Sequence, residues 1–237
     1  MNHQELVEVM QKELYSDDTI LALVLCGSVA RHEEKPNSDI DLLVINNKSF
    51  YQLRQIIRNG IKVELIETPL ENLKNRGMGG ETVTGRMLAD GIILFDKTSE
   101  IENLIAKAKD IVKESPPIPS SHNDELWVSR KRREITEIYH DLLNAGDEIH
   151  FNYIASSLMS SAIPLLFENN KWWFQPRKKT LDYLKFQYME YKNIETLLNP
   201  VCSLAEKRNA AKLLVETVLK PHGGILEGDA VLIKFDI

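Results

Sequence analysis

The sequence predicts an α/β domain followed by an all-α helical bundle, and three observations support this division. Up to about residue 112, short apolar runs typical of strands alternate with amphipathic segments typical of helices. Three prolines and three serines are then concentrated within 115–121, which is typical of a semi-rigid linker. After the linker the apolar spacing is almost wholly helical. We therefore predict domains at 1–114 and 123–237, joined by a linker at 115–122.

The N-terminal domain is predicted to alternate helices and strands. Its first helix follows from the spacing of Leu6, Val7, Met10 and Leu14. The predicted helices cover 4–15, 50–58, 69–76, 82–88 and 100–112, and the predicted strands cover 23–26, 39–45, 62–66 and 92–95. The glycine-rich segment 76–80 is interpreted as a plain turn, with a mobile flap as the alternative.

The second domain is predicted to be a bundle. Asn123-Asp124 offers an N-cap for its first helix, which we expect to run to about Asn144 and to end near Gly146. Further helices are predicted near 150–168, 178–198 and 203–219. No segment of 20 to 50 residues repeats, which favours a bundle over a solenoid.

Composition and charge exclude several classes of protein. The formal net charge of −6 argues against a general nucleic-acid binder, whose surface is normally basic, and it suits a cationic substrate. No apolar run approaches the length of a membrane span, and the N-terminus has no signal-peptide pattern. We therefore expect a cytoplasmic protein with no membrane association and with two free cysteines, Cys26 and Cys202. The oligomeric state is left open, with a homodimer as one option.

Two aspartates, Asp39 and Asp41, mark the second strand. Side chains alternate along a strand, so residues two apart share a face and both carboxylates point to the same side. Two adjacent carboxylates repel each other unless a cation lies between them. Mg²⁺ binds one or two protein carboxylates and completes its shell with water and substrate phosphates. The pair therefore predicts a site for one or two Mg²⁺ ions and for phosphoryl or nucleotidyl chemistry.

The segment between the first two strands begins with Gly27-Ser28. Glycine lets a ligand approach the backbone closely, and turn amides with a serine hydroxyl can hold phosphate oxygens. Either motif alone is more often only structural. Together, Gly27-Ser28 and Asp39-Ile40-Asp41, with ten residues between them, resemble the signature of the polymerase-beta-like nucleotidyltransferase superfamily.

Within this superfamily the chain is most similar to the kanamycin-type aminoglycoside nucleotidyltransferases, in which a compact catalytic domain precedes a helical one. The resemblance implies an α/β (α+β) nucleotidyltransferase domain with a mixed sheet. It also implies that Gly27, Ser28, Arg31 and Ser38 bind the nucleotide. For Arg31, a salt bridge that braces the turn is an equal alternative.

The resemblance continues at Lys62-Val63-Glu64-Leu65-Ile66, which is similar to the strand that carries the family's third acidic residue. Strand alternation turns Glu64 away from Val63 and Leu65, so we place it beside Asp39 and Asp41. It would complete the metal site or accept the proton of the attacking hydroxyl. A surface glutamate on an edge strand is the alternative. Glu67 has the opposite parity and is interpreted as a solvated carboxylate.

The first helix of the second domain carries acidic residues on one face, at Glu134, Glu137 and Asp141. In the kanamycin-type enzymes an early helix of this domain supplies the base that acts on the acceptor hydroxyl, and the resemblance puts Glu137 or Asp141 near that position. A solvated acidic face is an equal alternative. The basic run 130–133 is interpreted as a solvated cluster paired with these glutamates, with a contact to the triphosphate as the alternative. The helix lacks the acidic residue followed four positions later by lysine that the kanamycin-type helix carries.

Aromatic and basic residues are concentrated in 171–179. We interpret this segment as a loop whose rings pack onto the bundle. Stacking of Trp172 or Trp173 on a nucleobase or an acceptor ring is the alternative.

The predicted activity is Mg²⁺-dependent transfer of a nucleoside monophosphate from a nucleoside triphosphate, with ATP as the first choice, to a hydroxyl of a small molecule. An aminoglycoside-like antibiotic is the first candidate acceptor. Two alternatives are an antitoxin-type enzyme that adenylylates a protein and a nucleotide-binding sensor without turnover. The large helical domain disfavours the former, and the intact Gly-Ser and Asp-x-Asp motifs disfavour the latter.

Overall fold

The chain forms two compact units, Met1–Glu114 and Ser115–Ile237. This computed structural model describes residues 1–75, 83–114, 116 and 118–232. The predicted glycine turn at 76–80 lies outside the described residues. Each unit is considered by itself below.

The N-terminal unit contains a five-stranded sheet with helices. Its helices are α1 (His3–Tyr15), α2 (Gly27–Ala30), α3 (Leu70–Asn75), α4 (Val83–Ala89) and α5 (Ile101–Lys113), and its strands are β1 (Ile20–Cys26), β2 (Ile40–Asn46), β3 (Gln52–Arg58), β4 (Ile61–Pro69) and β5 (Ile92–Asp96). The strand order is β3-β4-β2-β1-β5. Strands β2 and β4 are parallel and the other neighbours are antiparallel. The predicted mixed sheet is therefore confirmed.

Helices cover both faces of this sheet. The apolar stripe of α1 packs on one face, against alternate residues of β1, β2 and β4 such as Leu25, Leu42 and Leu65. Helices α3, α4 and α5 pack on the other face, against Val24 and Leu43. Because both faces are covered, the central strands β1 and β2 are buried almost throughout.

The helix predicted over 50–58 is wrong, since this segment forms the edge strand β3. Its apolar residues Leu53, Ile56 and Ile57 are spaced by three and four, which mimics a helical face. The segment pairs in antiparallel register with β4 through a two-residue turn. Both turn residues, Asn59 and Gly60, have positive φ, and Asn-Gly favours such hairpin turns strongly. The turn therefore decides the structure of this segment.

The helical unit is confirmed as a bundle. Its α-helices are α6 (Glu125–Leu143), α7 (Glu148–Asn169), α8 (Arg177–Gln187), α9 (Tyr191–Leu198) and α10 (Leu204–Leu219). Asp124 caps α6 by accepting hydrogen bonds from the backbone of Leu126 and Trp127, as predicted. None of the helices in the described part of the chain combines the length and apolarity that a membrane crossing requires.

The single helix predicted over 178–198 is wrong, because the chain breaks between α8 and α9. Leu184 and Leu197 are both buried in one core, yet thirteen residues at about 100° each would place them on nearly opposite sides of a continuous helix. Tyr188 has extended backbone angles and ends α8. The break lets both leucines face the same core.

Candidate metal centre

Three carboxylates meet where β2 begins. Strand β2 starts at Ile40, so Asp39 directly precedes the strand and Asp41 lies within it. Asp41 is paired with Glu64 across the parallel ladder between β2 and β4. One oxygen from each of Asp39, Asp41 and Glu64 lies within 4.8 Å of the others, and all three residues are half-buried. The sequence prediction had placed these three residues together, although Glu64 lies on an inner strand and not on an edge.

The position of Asp41 depends on Gly27. Gly27 has φ +70°, and a Cβ built on it would collide with the Asp41 carboxylate. Both the backbone conformation and the space therefore require glycine here. The segment after β1 is a single helical turn, α2, and not the simple turn that the sequence predicted. Gly27 allows this turn to start directly against Asp41.

Cys26 lies opposite Asp41 in the pairing of β1 with β2. Burial, with the Asp41 charge as the next cause, raises the pKa of the Cys26 thiol to about 12. Cys26 is therefore a neutral, buried thiol in the core, as predicted. The second cysteine, Cys202, is also free.

Ser28 is the second residue of α2 and is buried. Its hydroxyl finds no hydrogen-bond partner among the described residues. Leaving a buried hydroxyl unsatisfied costs about 1–3 kcal/mol, which an additional acceptor such as a phosphate oxygen would offset.

Arg31 and Ser38 both have structural partners. Arg31 donates from Nε to Glu33 at 3.0 Å and lies 3.5 Å from the Asp90 carboxylate through one terminal nitrogen. The salt bridge that was the alternative role predicted for Arg31 is thus present. The Ser38 hydroxyl accepts from the Lys35 amide at 2.9 Å. Contacts of both residues with a nucleotide stay predictions.

His3 of α1 contacts the segment that directly precedes β2. Its Nε2 lies 2.8 Å from the Ser38 carbonyl oxygen, one residue before Asp39. Helix α1 therefore fixes the backbone that presents the first carboxylate of the cluster.

Lys62 was missing from the sequence prediction. Its ammonium lies 2.5 Å from Glu64 Oε1 and 3.4 Å from Asp39 Oδ2. The hydrogen bond to Glu64 is the main cause of a raised Lys62 pKa. The signal was in the sequence, because Lys62 and Glu64 are two apart on one strand and must share a face.

The interpretation of Glu67 as solvated is wrong. Glu67 is buried, and it forms ion pairs with Arg54 at 2.5 Å and Lys48 at 3.6 Å. Its parity puts it on the face covered by α1, beside Val44 of β2. A carboxylate buried there must be paired, and the edge strand β3, which the sequence did not predict, supplies Arg54.

The acidic candidates in the helical unit lie on the surface of α6. Glu137 is exposed and accepts a hydrogen bond from Arg133 at 2.7 Å. Asp141 is exposed and has no hydrogen bond or ion pair within the part of the chain that the structure describes. In the basic run, Lys131 and Arg133 pair with glutamates as predicted. Arg132 differs, because it donates to backbone carbonyls at 223–225.

The aromatic segment packs onto the bundle, as its simpler interpretation predicted. The ring of Trp172 contacts Phe167 and Tyr183, and Phe174 stacks on Phe167. Trp172 is partly buried against the core. Stacking of Trp173 on a ligand stays untested.

The N-terminal unit matches a known family of domains. The family model described as "Polymerase beta, Nucleotidyltransferase" matches residues 8–100. Among solved structures, the chain is similar to a nucleotidyltransferase-like protein from Exiguobacterium sibiricum 255-15, with 14% sequence identity and a TM-score of 0.49 over 93% of this chain and 75% of that chain. Comparison with curated proteins gives no significant match.

Proposed function

We propose that the protein transfers a nucleoside monophosphate from a nucleoside triphosphate to a hydroxyl of a small molecule, because residues 8–100 match the polymerase-beta-type nucleotidyltransferase family model. The observation that carries this proposal is the cluster of Asp39, Asp41 and Glu64, in which one oxygen of each carboxylate lies within 4.8 Å of the others. ATP is the proposed donor.

The donor set suits magnesium. Half-buried carboxylate oxygens are the ligands that Mg²⁺ prefers, and one or two protein carboxylates leave the rest of its shell to water and phosphates. Asp39 and Asp41 would hold the metal. When bound, the metal supplies charge neutralisation at the phosphates and lowers the pKa of a coordinated hydroxyl.

The remaining residues bind and orient the substrates. Ser28 would donate its unsatisfied hydroxyl to a phosphate oxygen, while Gly27 keeps the backbone close to Asp41. The acceptor oxygen forms a bond to the α-phosphorus, the bond to the bridging oxygen of the β-phosphate breaks, and pyrophosphate leaves. Glu64 would either complete the metal site or take the proton of the acceptor hydroxyl. Most of the catalytic effect comes from position and electrostatics.

The acceptor is proposed to be a polar, cationic small molecule. The formal net charge of −6 favours cations over polyanions such as nucleic acid. An aminoglycoside-like compound, which combines amines with hydroxyls, satisfies both requirements. Glu137 and Asp141 are the proposed sources of a base on the acceptor side.

Calorimetric titration of nucleoside triphosphates, with and without Mg²⁺, tests the proposal. The wild type is compared with Asp39→Asn/Asp41→Asn and with Asp110→Asn, which changes an exposed aspartate that pairs with Lys113. We expect Mg²⁺-dependent binding in the wild type and the control and none in the double variant. Equal binding in all three proteins, or none, would refute the metal site.

Release of pyrophosphate then separates an enzyme from a sensor. Candidate acceptors are added with ATP and Mg²⁺, and pyrophosphate is measured. Metal-dependent nucleotide binding without release of pyrophosphate from ATP, whichever small acceptor or protein is added, would favour the nucleotide sensor. Label transfer from α-labelled ATP to a protein would favour the antitoxin-type activity.

The role of Glu64 is tested with Glu64→Gln. A variant that binds Mg²⁺ and ATP normally but turns over slowly identifies Glu64 as the base. A variant whose Mg²⁺ affinity falls as far as that of Asp41→Asn identifies it as a ligand.

A further inference from the structure

Lys62 bridges two of the three carboxylates of the candidate metal centre, Asp39 and Glu64. The Lys62 ammonium is within 2.5 Å of Glu64 and 3.4 Å of Asp39, and these carboxylates belong to the cluster in which one oxygen of each carboxylate lies within 4.8 Å of the others. One cation thus bridges two of the three acidic groups.

The Lys62 ammonium reduces the repulsion among the three carboxylates. Three carboxylates so close together destabilise the fold when each is ionised, and a neighbouring cation removes part of that cost. The lysine side chain is 40% exposed, and its stem is long and flexible. It can therefore leave the cluster for solvent at little conformational cost.

A divalent metal and this ammonium compete for the same oxygens. Mg²⁺ binds its ligands at about 2.0–2.1 Å with strict geometry, so Glu64 and Asp39 cannot keep close hydrogen bonds to Lys62 on the atoms that bind the ion. The two cations also repel each other. Metal entry therefore requires the lysine to move.

We propose that Lys62 is a built-in substitute cation that stabilises the metal-free cluster and disfavours metal binding until nucleotide arrives. The inference rests on the proposed function of the cluster. A triphosphate offers the displaced ammonium a new anionic partner, since lysine is a common ligand of phosphates. Nucleotide and metal would then bind cooperatively, because the nucleotide reduces the cost of displacing Lys62. Lys62 is in this view a positioning residue.

Mn²⁺ titration, followed by the electron paramagnetic resonance signal of the free ion, tests this without any turnover. Lys62→Met keeps the stem and removes the charge. Lys74→Met is the matched control, because Lys74 also bridges two carboxylates, Glu100 at 2.6 Å and Glu71 at 3.5 Å, outside the cluster. Each protein is titrated with and without a non-hydrolysable ATP analogue, and Mn²⁺ bound by the analogue alone is measured without protein and subtracted.

We expect Lys62→Met to bind Mn²⁺ about tenfold more tightly than the wild type when nucleotide is absent, from the loss of two partly exposed charge pairs and of the cation's repulsion. Lys74→Met should match the wild type. The analogue should raise Mn²⁺ affinity more in the wild type than in Lys62→Met.

Three other results would overturn the inference. Equal or weaker Mn²⁺ binding by Lys62→Met without nucleotide would refute the competition and leave the proposed function standing. A similar gain in Lys74→Met would show a general charge effect. No Mn²⁺ binding by any protein, even with the analogue, would refute the proposed function together with the inference.

Discussion

Gly27→Ala tests whether the close approach of the α2 backbone to Asp41 builds the metal centre. Gly27 has φ +70°, and an L-residue in this left-handed region costs about 1–2 kcal/mol. The new methyl group also overlaps the Asp41 carboxylate, and forcing extra volume into a packed site costs about 1–3 kcal/mol. The free energy of unfolding should fall by about 2–5 kcal/mol in total, and Mg²⁺ binding should be lost because the carboxylate must move.

Gly60→Ala is the matched control for this change. Gly60 has φ +77°, but a Cβ there would meet no atom of the described residues within 4 Å. It should therefore pay only the backbone cost of about 1–2 kcal/mol and should keep Mg²⁺ binding. Urea denaturation gives the two stabilities, and calorimetry gives the metal affinities. If both variants lose the same stability and Gly27→Ala binds Mg²⁺ like the wild type, the contact with Asp41 does not require glycine.

Three further predictions follow from the N-terminal unit and the cysteines. A thiol reagent at neutral pH should modify Cys202 in the native protein but Cys26 only after denaturation, since burial keeps Cys26 protonated; two equally fast thiols would contradict this. Glu67→Gln should lower the free energy of unfolding by about 1–3 kcal/mol in urea denaturation, because it removes the charge of a buried carboxylate that pairs with the exposed Arg54; an unchanged midpoint would show that the pair adds nothing. Partial burial alone would raise the pKa of Asp96. Hydrogen bonds from the Thr98 side chain and from backbone amides outweigh burial, so the pKa of Asp96 is lowered from its ordinary value. Its stabilising effect is therefore present above about pH 4 and is lost as pH falls through the lowered pKa. Asp96→Ala should be less stable than the wild type by about 2 kcal/mol at pH 7, and thermal unfolding should show this gap closing in acid; a gap that is constant with pH would contradict it.

The fold class could be predicted because its signals are local. Strands β1 and β2 are short apolar runs, and the helices of the second unit have regular apolar spacing. Strand β3 could not be predicted by spacing alone, since it is an edge strand whose side chains are mostly exposed and therefore lack a buried stripe. The sequence feature that indicates this strand is the hairpin turn Asn59-Gly60, and not the pattern within the strand.

The same distinction separates Glu64 from Glu67. Alternation along β4 puts them on opposite faces, and this much is visible in the sequence. Which face admits a charge depends on what lies against it. Glu64 is paired with Asp41 of β2, whereas Glu67 lies on the face that α1 covers and needs Arg54 from β3. Because the segment of β3 was predicted to be a helix, the sequence offered no partner for Glu67, and Glu67 was predicted to be solvated.

The two acidic candidates on α6 cannot be distinguished by their spacing, but they differ in their contacts. Spacing treats Glu137 and Asp141 alike, because both lie on one helical face. The structure separates them: Glu137 is held by Arg133 four residues earlier, an exposed pair of the kind that stabilises a helix by about 0.3–0.5 kcal/mol, and this pair explains its presence without any acceptor. Asp141 has no such partner in the described part of the chain. If a base on the acceptor side comes from this helix, Asp141 should supply it, and Asp141→Asn should reduce turnover with a hydroxyl acceptor far more than Glu137→Gln while both variants bind ATP and Mg²⁺ normally.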